Sequence, residues 1–244
     1  MQSHSEAPIV CASRYSHCVV LTVTVLMALV LIIATPRAVQ AARGPASDPT
    51  AAAQVDGPEK PGAESAEAAV ERLHEALLAA MKIPGVDGFA SRVEAIEPAV
   101  LGVFDFTTIG GLVLGAHWKA MNQADRERFL VVFRRYVVAN YAAEFDSFAG
   151  HTFHTDASAE QQPHVVVVRA RLVTGAGDTH RFDYQTKEKD GRWFIVNVAV
   201  DGVSDVALKR AQYDAVIRKD GFDALLGTLE DKIAGFARGE KDDD

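Results

Sequence analysis

The stretch HVVVVRARLVTGAGDTHRFDYQTKEKDGRWFIVNVAV, residues 164–200, decides the fold class of this 244-residue chain. Apolar and polar side chains alternate in three runs, 164–173, 180–187 and 192–200, which is the period of β-strands. Only short turns join the runs, so the strands are antiparallel neighbours in a meander. A weaker strand is predicted at 151–155. In the last of the three runs, one face is predicted to carry Phe194, Val196, Val198 and Val200.

Helices are predicted on both sides of this sheet in the sequence. Apolar residues recur at three- and four-residue steps, which is the period of an amphipathic helix. The predicted helices cover, in chain order, 66–82, 88–103, 108–114, 123–147, 205–219 and 221–236. Pro98 is expected to bend or break the second of them. Helices, then strands, then helices indicate an α+β fold in which a twisted antiparallel sheet packs against several helices.

The N-terminal part of the chain is predicted to direct it out of the cytoplasm. An uncharged apolar run covers residues 18–35, and small residues precede a possible cleavage point after Ala41. The length of the run fits a cleaved signal peptide or a retained membrane anchor. We divide the chain into the signal or anchor (1–41), a disordered linker (42–64), one folded domain (65–237) and a polar tail (238–244).

Composition and motifs exclude several classes of function. The 25 Lys and Arg against 33 Asp and Glu give a net charge of -8, which disfavours a nucleic-acid binder. The two cysteines, Cys11 and Cys18, both precede residue 20, so the rest of the chain has no disulfide and no cysteine metal site. No GxSxG elbow, P-loop or HExxH motif occurs. We expect no enzyme, no cofactor and no metal, and we interpret Asp105 as a helix cap or turn residue.

Residues 104–150 carry a resemblance to a known family. The segment FDFTTIGGLVLGAHWKAMNQADRERFLVVFRRYVVANYAAEFDSFAG resembles the exported lipid-shuttle family of the Mla system, the MlaC or toluene-tolerance family. The matching positions are Phe104-Asp105-Phe106, Leu114-Gly115, Trp118, Gln123, Phe129, Phe133 and Tyr141. A second match at 191–233 extends the similarity to about 70–235. The end of the first segment is also similar to the hopanoid-biosynthesis-associated branch of the family.

The resemblance implies a periplasmic carrier that passes phospholipid between an outer-membrane lipoprotein complex and an inner-membrane ABC transporter complex. It also implies an apolar pocket for acyl chains, which needs no catalytic residue. Aromatic residues on the facing elements fit either a simple core or such a pocket, and periodicity does not separate the two. The pocket candidates are Phe133, Val137, Tyr141, Val168, Phe182, Tyr184 and Val196.

Two alternatives stay open at this stage. A hopanoid-linked carrier would keep the pocket and take a rigid triterpenoid as its ligand. An enzyme could instead be built on a cone of sheet and helices, with Asp105 or Asp183 as an acid in the cavity.

Overall fold

A five-stranded antiparallel sheet organises the structure, a computed structural model that describes residues 64–241. The strands follow one another in space in chain order, which confirms the predicted meander and the α+β class. They are β1 (Thr152–Gln162), β2 (Val165–Val173), β3 (Thr179–Lys189), β4 (Arg192–Val200) and β5 (Val203–Ser204). The predicted signal or anchor, 1–41, lies outside the described residues, and so does the predicted linker except for Glu64.

Seven α-helices and one 3-10 turn, Val86–Gly88, complete the described part of the chain. The helices are α1 (Ala66–Met81), α2 (Phe89–Val103), α3 (Phe106–Leu114), α4 (Ala116–Ala120), α5 (Gln123–Glu144), α6 (Asp205–Asp220) and α7 (Phe222–Ala237). Side chains of Ser65, Asn122 and Ser204 cap α1, α5 and α6, and each accepts a hydrogen bond from the backbone N–H of the third residue of its helix. The short α4 was not predicted. α2 continues through Pro98, so the expected break does not occur.

The helices pack against one face of the sheet, here called the inner face. α1 contacts β1 to β4, and α2, α3 and α6 contact β4. α5 packs between α2 and α7 and reaches the sheet through its C-terminal aromatic side chains. The opposite, outer face carries exposed arginines such as Arg169 and Arg171. The apolar core therefore lies between the helical layer and the inner face.

A bulge in β4 changes which residues reach the inner face. Asn197 pairs with Gln185, but Ile195 pairs with Thr186, so Val196 is an extra residue in the ladder. Residues paired across strands share a face, and Ile195 is therefore fully buried on the inner face while Phe194 lies on the other. The prediction that Phe194, Val196, Val198 and Val200 share one face is wrong for this reason.

The segment between α2 and α3 docks at this bulge. Phe104 forms a parallel bridge to Ile195, and the Asp105 amide donates a hydrogen bond to the Ile195 carbonyl at 3.1 Å. The bulge thus holds Phe104, Asp105 and Phe106 beside the sheet.

Candidate functional site

A row of aromatic rings connects α5 to the inner face of the sheet. The ring of Tyr141 on α5 stacks on that of Phe145, which directly follows the helix. Phe145 in turn contacts Phe153 of β1 with ring centroids 6.3 Å apart. Phe153 in turn meets Phe182 at 5.9 Å, and Phe182 stacks on Tyr184 at 5.8 Å. We call these five residues the aromatic bridge. It places side chains from three separate elements in one apolar layer.

The predicted pocket residues occupy different parts of this region. Tyr141, Phe182 and Tyr184 belong to the aromatic bridge, whereas Phe133 packs in the core against Phe106 and Phe129. The remaining candidates lie on three elements, with Val168 fully buried on β2, Val196 at the β4 bulge and Val137 partly buried on α5. The structure therefore brings two of the seven candidates, Phe182 and Tyr184, into direct ring contact. It links Tyr141 to them through Phe145 and Phe153 and places Phe133 in a neighbouring cluster.

A buried histidine adds a polar group to the aromatic bridge. His74 of α1 stacks on Phe153 with ring centroids 3.9 Å apart, and its Nε2 lies 3.0 Å from the Tyr184 hydroxyl. Burial lowers the pKa of His74 to about 4, so the imidazole is neutral at neutral pH. Burial also raises the pKa of Tyr141 and of Tyr184, and the proximity of Tyr141 adds to the shift at Tyr184. The cluster is polar and uncharged.

Sequence reasoning missed Phe153, His74 and Ile195 as site residues. Phe153 is the one large apolar residue of a polar strand, and Ile195 reaches the inner face through a bulge that alternation does not reveal. His74 did carry a signal, because it lies four residues after Val70 and three before Leu77, on the apolar side of α1.

A cleft of about 530 Å³ opens beside the segment Phe104–Thr107, and we call it the FDF cleft. Its apolar lining comes from Leu101, Phe104, Phe106 and Phe194, and its charged lining from Arg134, Lys189, Arg192, Asp105 and Asp190. The Phe104 ring also contacts Tyr141, with centroids 5.9 Å apart. One aromatic side chain thus separates the FDF cleft from the aromatic bridge.

Asp105 is a helix cap, as the sequence predicted. Its carboxylate accepts hydrogen bonds from the Thr108 amide at 3.0 Å and the Thr108 hydroxyl at 2.7 Å. Burial opposes ionisation, but these bonds and nearby Lys189 together lower the pKa of Asp105 below its ordinary value. An ionised carboxylate with both oxygens engaged cannot serve as a general acid.

Asp183 does not lie in the interior either. Side chains alternate along a strand, and its neighbours Phe182 and Tyr184 are both buried on the inner face. Asp183 therefore lies on the outer face, which removes the second acid considered for an enzyme.

Within residues 64–241, His, Cys, Asp and Glu side chains form no group of three or more that could hold a metal ion. Among the described helices, none is both long and apolar enough to cross a membrane.

Comparison with known proteins places this architecture in a family. The family model described as MlaC protein matches residues 71–231. A solved structure from Ralstonia solanacearum, described as a phospholipid-binding protein in complex with a phospholipid, superposes with a TM-score of 0.60. The two sequences are 18% identical, and the match covers 71% of this chain and 99% of that one. The structural similarity establishes a shared fold.

Proposed function

This chain belongs to the MlaC protein family, and on that premise we propose that it is a periplasmic lipid-binding carrier. Its ligand in this proposal is a phospholipid whose acyl chains lie between α5 and the inner face of the sheet. The observation that carries the proposal is the aromatic bridge, because its rings form an apolar layer that contains no ionised group. A layer of this kind suits hydrocarbon.

The free-energy cost of moving a lipid through water without a carrier is large. Exposing hydrocarbon to water costs roughly 0.8 kcal/mol per methylene, so a chain of about 16 carbons costs on the order of 10 kcal/mol. A lipid therefore does not cross an aqueous compartment at a useful rate unless a protein shields its chains. A folded domain with an apolar interior and a charged surface meets this need.

Acyl chains would take the place of ring contacts in the aromatic bridge. The five rings lie with centroids 5.8–6.3 Å apart, and such pairs contribute only about 1 kcal/mol each beyond area burial. Chain carbons can restore the dispersion contacts that the rings lose when they separate. The Ralstonia protein, which has the same fold and is described as binding phospholipid, supports a phospholipid as the ligand.

Family membership also supports the partners and the compartment. We propose that the protein exchanges lipid with an inner-membrane ABC transporter complex and an outer-membrane lipoprotein complex, in the periplasm. The N-terminal residues 1–41 serve, in this proposal, as the export signal or as an anchor in the inner membrane.

The test is lipid analysis of the full chain, expressed with export and purified without detergent. We expect native mass spectrometry to show bound phospholipid. A Tyr141→Glu variant should carry much less, because burying a carboxylate among acyl chains without a partner is costly. Val131→Glu is the matched control, because Val131 lies on the same helix with 56% of its surface exposed. It should retain wild-type lipid, and circular dichroism should show both variants folded.

The result assigns the ligand class as well. A triterpenoid in the extract would identify the protein as a hopanoid carrier. Protein that purifies without lipid and takes up none from phospholipid vesicles would overturn the proposal.

A further inference from the structure

We propose that the FDF cleft binds the phosphate group of the glycerophospholipid, and that the acyl chains enter the interior past Phe104. This inference rests on the proposed carrier function and adds a headgroup site to it. Three features of the cleft support it: arginines without a carboxylate partner among the described residues, fewer acids than cations, and an aromatic wall.

Aromatic rings hold two of the three cations of the cleft in place without neutralising them. The Arg134 guanidinium lies over the Phe106 ring at 5.7 Å, and that of Arg192 lies over the Phe194 ring at 5.1 Å. Neither arginine pairs with a carboxylate of the described residues. Lys189 forms a long ion pair with Asp105, with the Nζ and Oδ2 atoms 3.9 Å apart. Cation–π contacts orient a guanidinium but leave its N–H donors free for an anion.

The acids of the cleft offset only part of its positive charge. Both oxygens of Asp105 are engaged by Thr108, as described above. Asp190 is exposed in the turn between β3 and β4, where it adopts a φ of 55°. Three cations against two acids leave the cleft positive in a chain whose net charge is -8. An anion is therefore the ligand that this site favours.

The wall of the cleft selects an amphiphilic anion. Phe104 and Phe106 line it next to the cations, and Phe104 continues into the aromatic bridge through Tyr141. A simple inorganic anion gains nothing from aromatic rings, whereas a phospholipid presents a phosphate and hydrocarbon in the same order as the cleft and the bridge. Arginine pairs with phosphate in a bidentate geometry, which fixes the headgroup at the entrance.

The experiment compares two lipids that differ only in the phosphate-bearing group. The full chain, stripped of lipid, is titrated with vesicles that contain dioleoylphosphatidylglycerol or dioleoylglycerol, and captured lipid is quantified. We expect the wild type to prefer the phospholipid. The double variant Arg134→Gln and Arg192→Gln should bind phosphatidylglycerol roughly tenfold more weakly, with capture of dioleoylglycerol unchanged.

Two further variants make the result decisive. Arg135→Gln with Arg169→Gln removes the same charge from exposed positions outside the cleft and should bind both lipids like the wild type. Lys189→Gln, at an exposed position on the cleft rim, should weaken the binding of phosphatidylglycerol and leave that of dioleoylglycerol unchanged. This variant tests the site even if the double variant fails to fold.

The outcomes separate this inference from the function on which it rests. If the wild type captures both lipids equally and the cleft variants do not alter capture, the protein is a carrier and the FDF cleft is not its phosphate site. If the wild type captures neither lipid, the carrier function itself is wrong. If the exposed control pair loses as much phosphatidylglycerol binding as the cleft variants, the effect comes from overall charge, and the cleft site is wrong.

Discussion

At the scale of single residues, His74 makes the free energy of unfolding depend on pH. Its imidazole bonds to the Tyr184 hydroxyl and stacks on Phe153, and burial lowers its pKa from 6.5 to about 4. Above about pH 6.5 the residue is neutral in both the folded and the unfolded chain. As the pH falls towards 4, the unfolded chain binds a proton that the folded chain does not, so the free energy of unfolding decreases. The largest possible loss is roughly 3 kcal/mol.

Replacing His74 should remove this part of the pH dependence. In His74→Phe we expect the free energy of unfolding, measured by urea denaturation between about pH 7 and about pH 4, to fall less steeply than in the wild type. At neutral pH the variant should be about 1–2 kcal/mol less stable, because the buried Tyr184 hydroxyl loses its partner. His154→Gln, an exposed position on β1, is the control and should retain the wild-type slope. An equal slope in His74→Phe would show that His74 gains its proton over the same pH range in the folded chain as in the unfolded chain.

At the scale of elements, one buried arginine fixes the end of α5. The Arg92 side chain of α2 donates hydrogen bonds to the carbonyls of Ala142 at 2.7 Å, Ile83 at 3.0 Å and Gly85 at 2.7 Å. It therefore connects the last turn of α5 to the loop between α1 and α2. Burial lowers the pKa of Arg92, while Asp146 opposes the shift, and the group stays charged. The position of Tyr141 and Phe145 depends on this connection.

Arg92→Met should destabilise the fold by about 3 kcal/mol, since three carbonyls lose a charged donor at once. Arg92→Lys should recover only part of this loss, because an ammonium cannot reproduce the planar geometry of the guanidinium. Arg135→Met, at an exposed position of α5, should leave the urea midpoint within experimental error of the wild type. A wild-type midpoint in Arg92→Lys would show that charge alone holds the helix end.

The elements also show what the sequence could and could not predict. Helices and strands with strong periodicity, such as α5 and β2, were predicted to within a few residues. β1 was predicted only at 151–155, although it reaches Gln162, because its polar sequence is held by the ladder to β2 rather than by an apolar face. The β1 bulges and the β4 bulge shift side chains between faces, and they arise from pairing with neighbours that a local pattern does not contain. Tyr141 and Tyr184 were candidates because they lie on facing predicted elements, whereas the position of Phe153 between Phe145 and Phe182 required the tertiary fold.

At the scale of the whole molecule, the charge distribution favours one orientation towards a membrane. The chain is acidic overall, and the FDF cleft carries more cations than acids. An anionic lipid surface repels the acidic surface of the protein and attracts the cleft, and at 0.1 M ionic strength salt screens both effects beyond about 10 Å. The cleft is also the side on which Phe104 leads to the aromatic bridge. The same side of the molecule would therefore meet the membrane and admit the lipid.

Lipid binding should stabilise the whole fold. The aromatic bridge is closed by its own ring contacts, so the protein without lipid should stay folded, and lipid should add free energy of unfolding because it binds only the folded chain. At a free lipid concentration of about a hundred times the dissociation constant, the gain is about 2.7 kcal/mol. We expect dioleoylphosphatidylglycerol to raise the thermal midpoint of stripped wild-type protein, measured by calorimetry, and to leave that of Tyr141→Glu unchanged. The Val131→Glu control should shift like the wild type. An equal shift in Tyr141→Glu would mean that the lipid binds outside the interface of α5 with the sheet, and that the aromatic bridge is only part of the core.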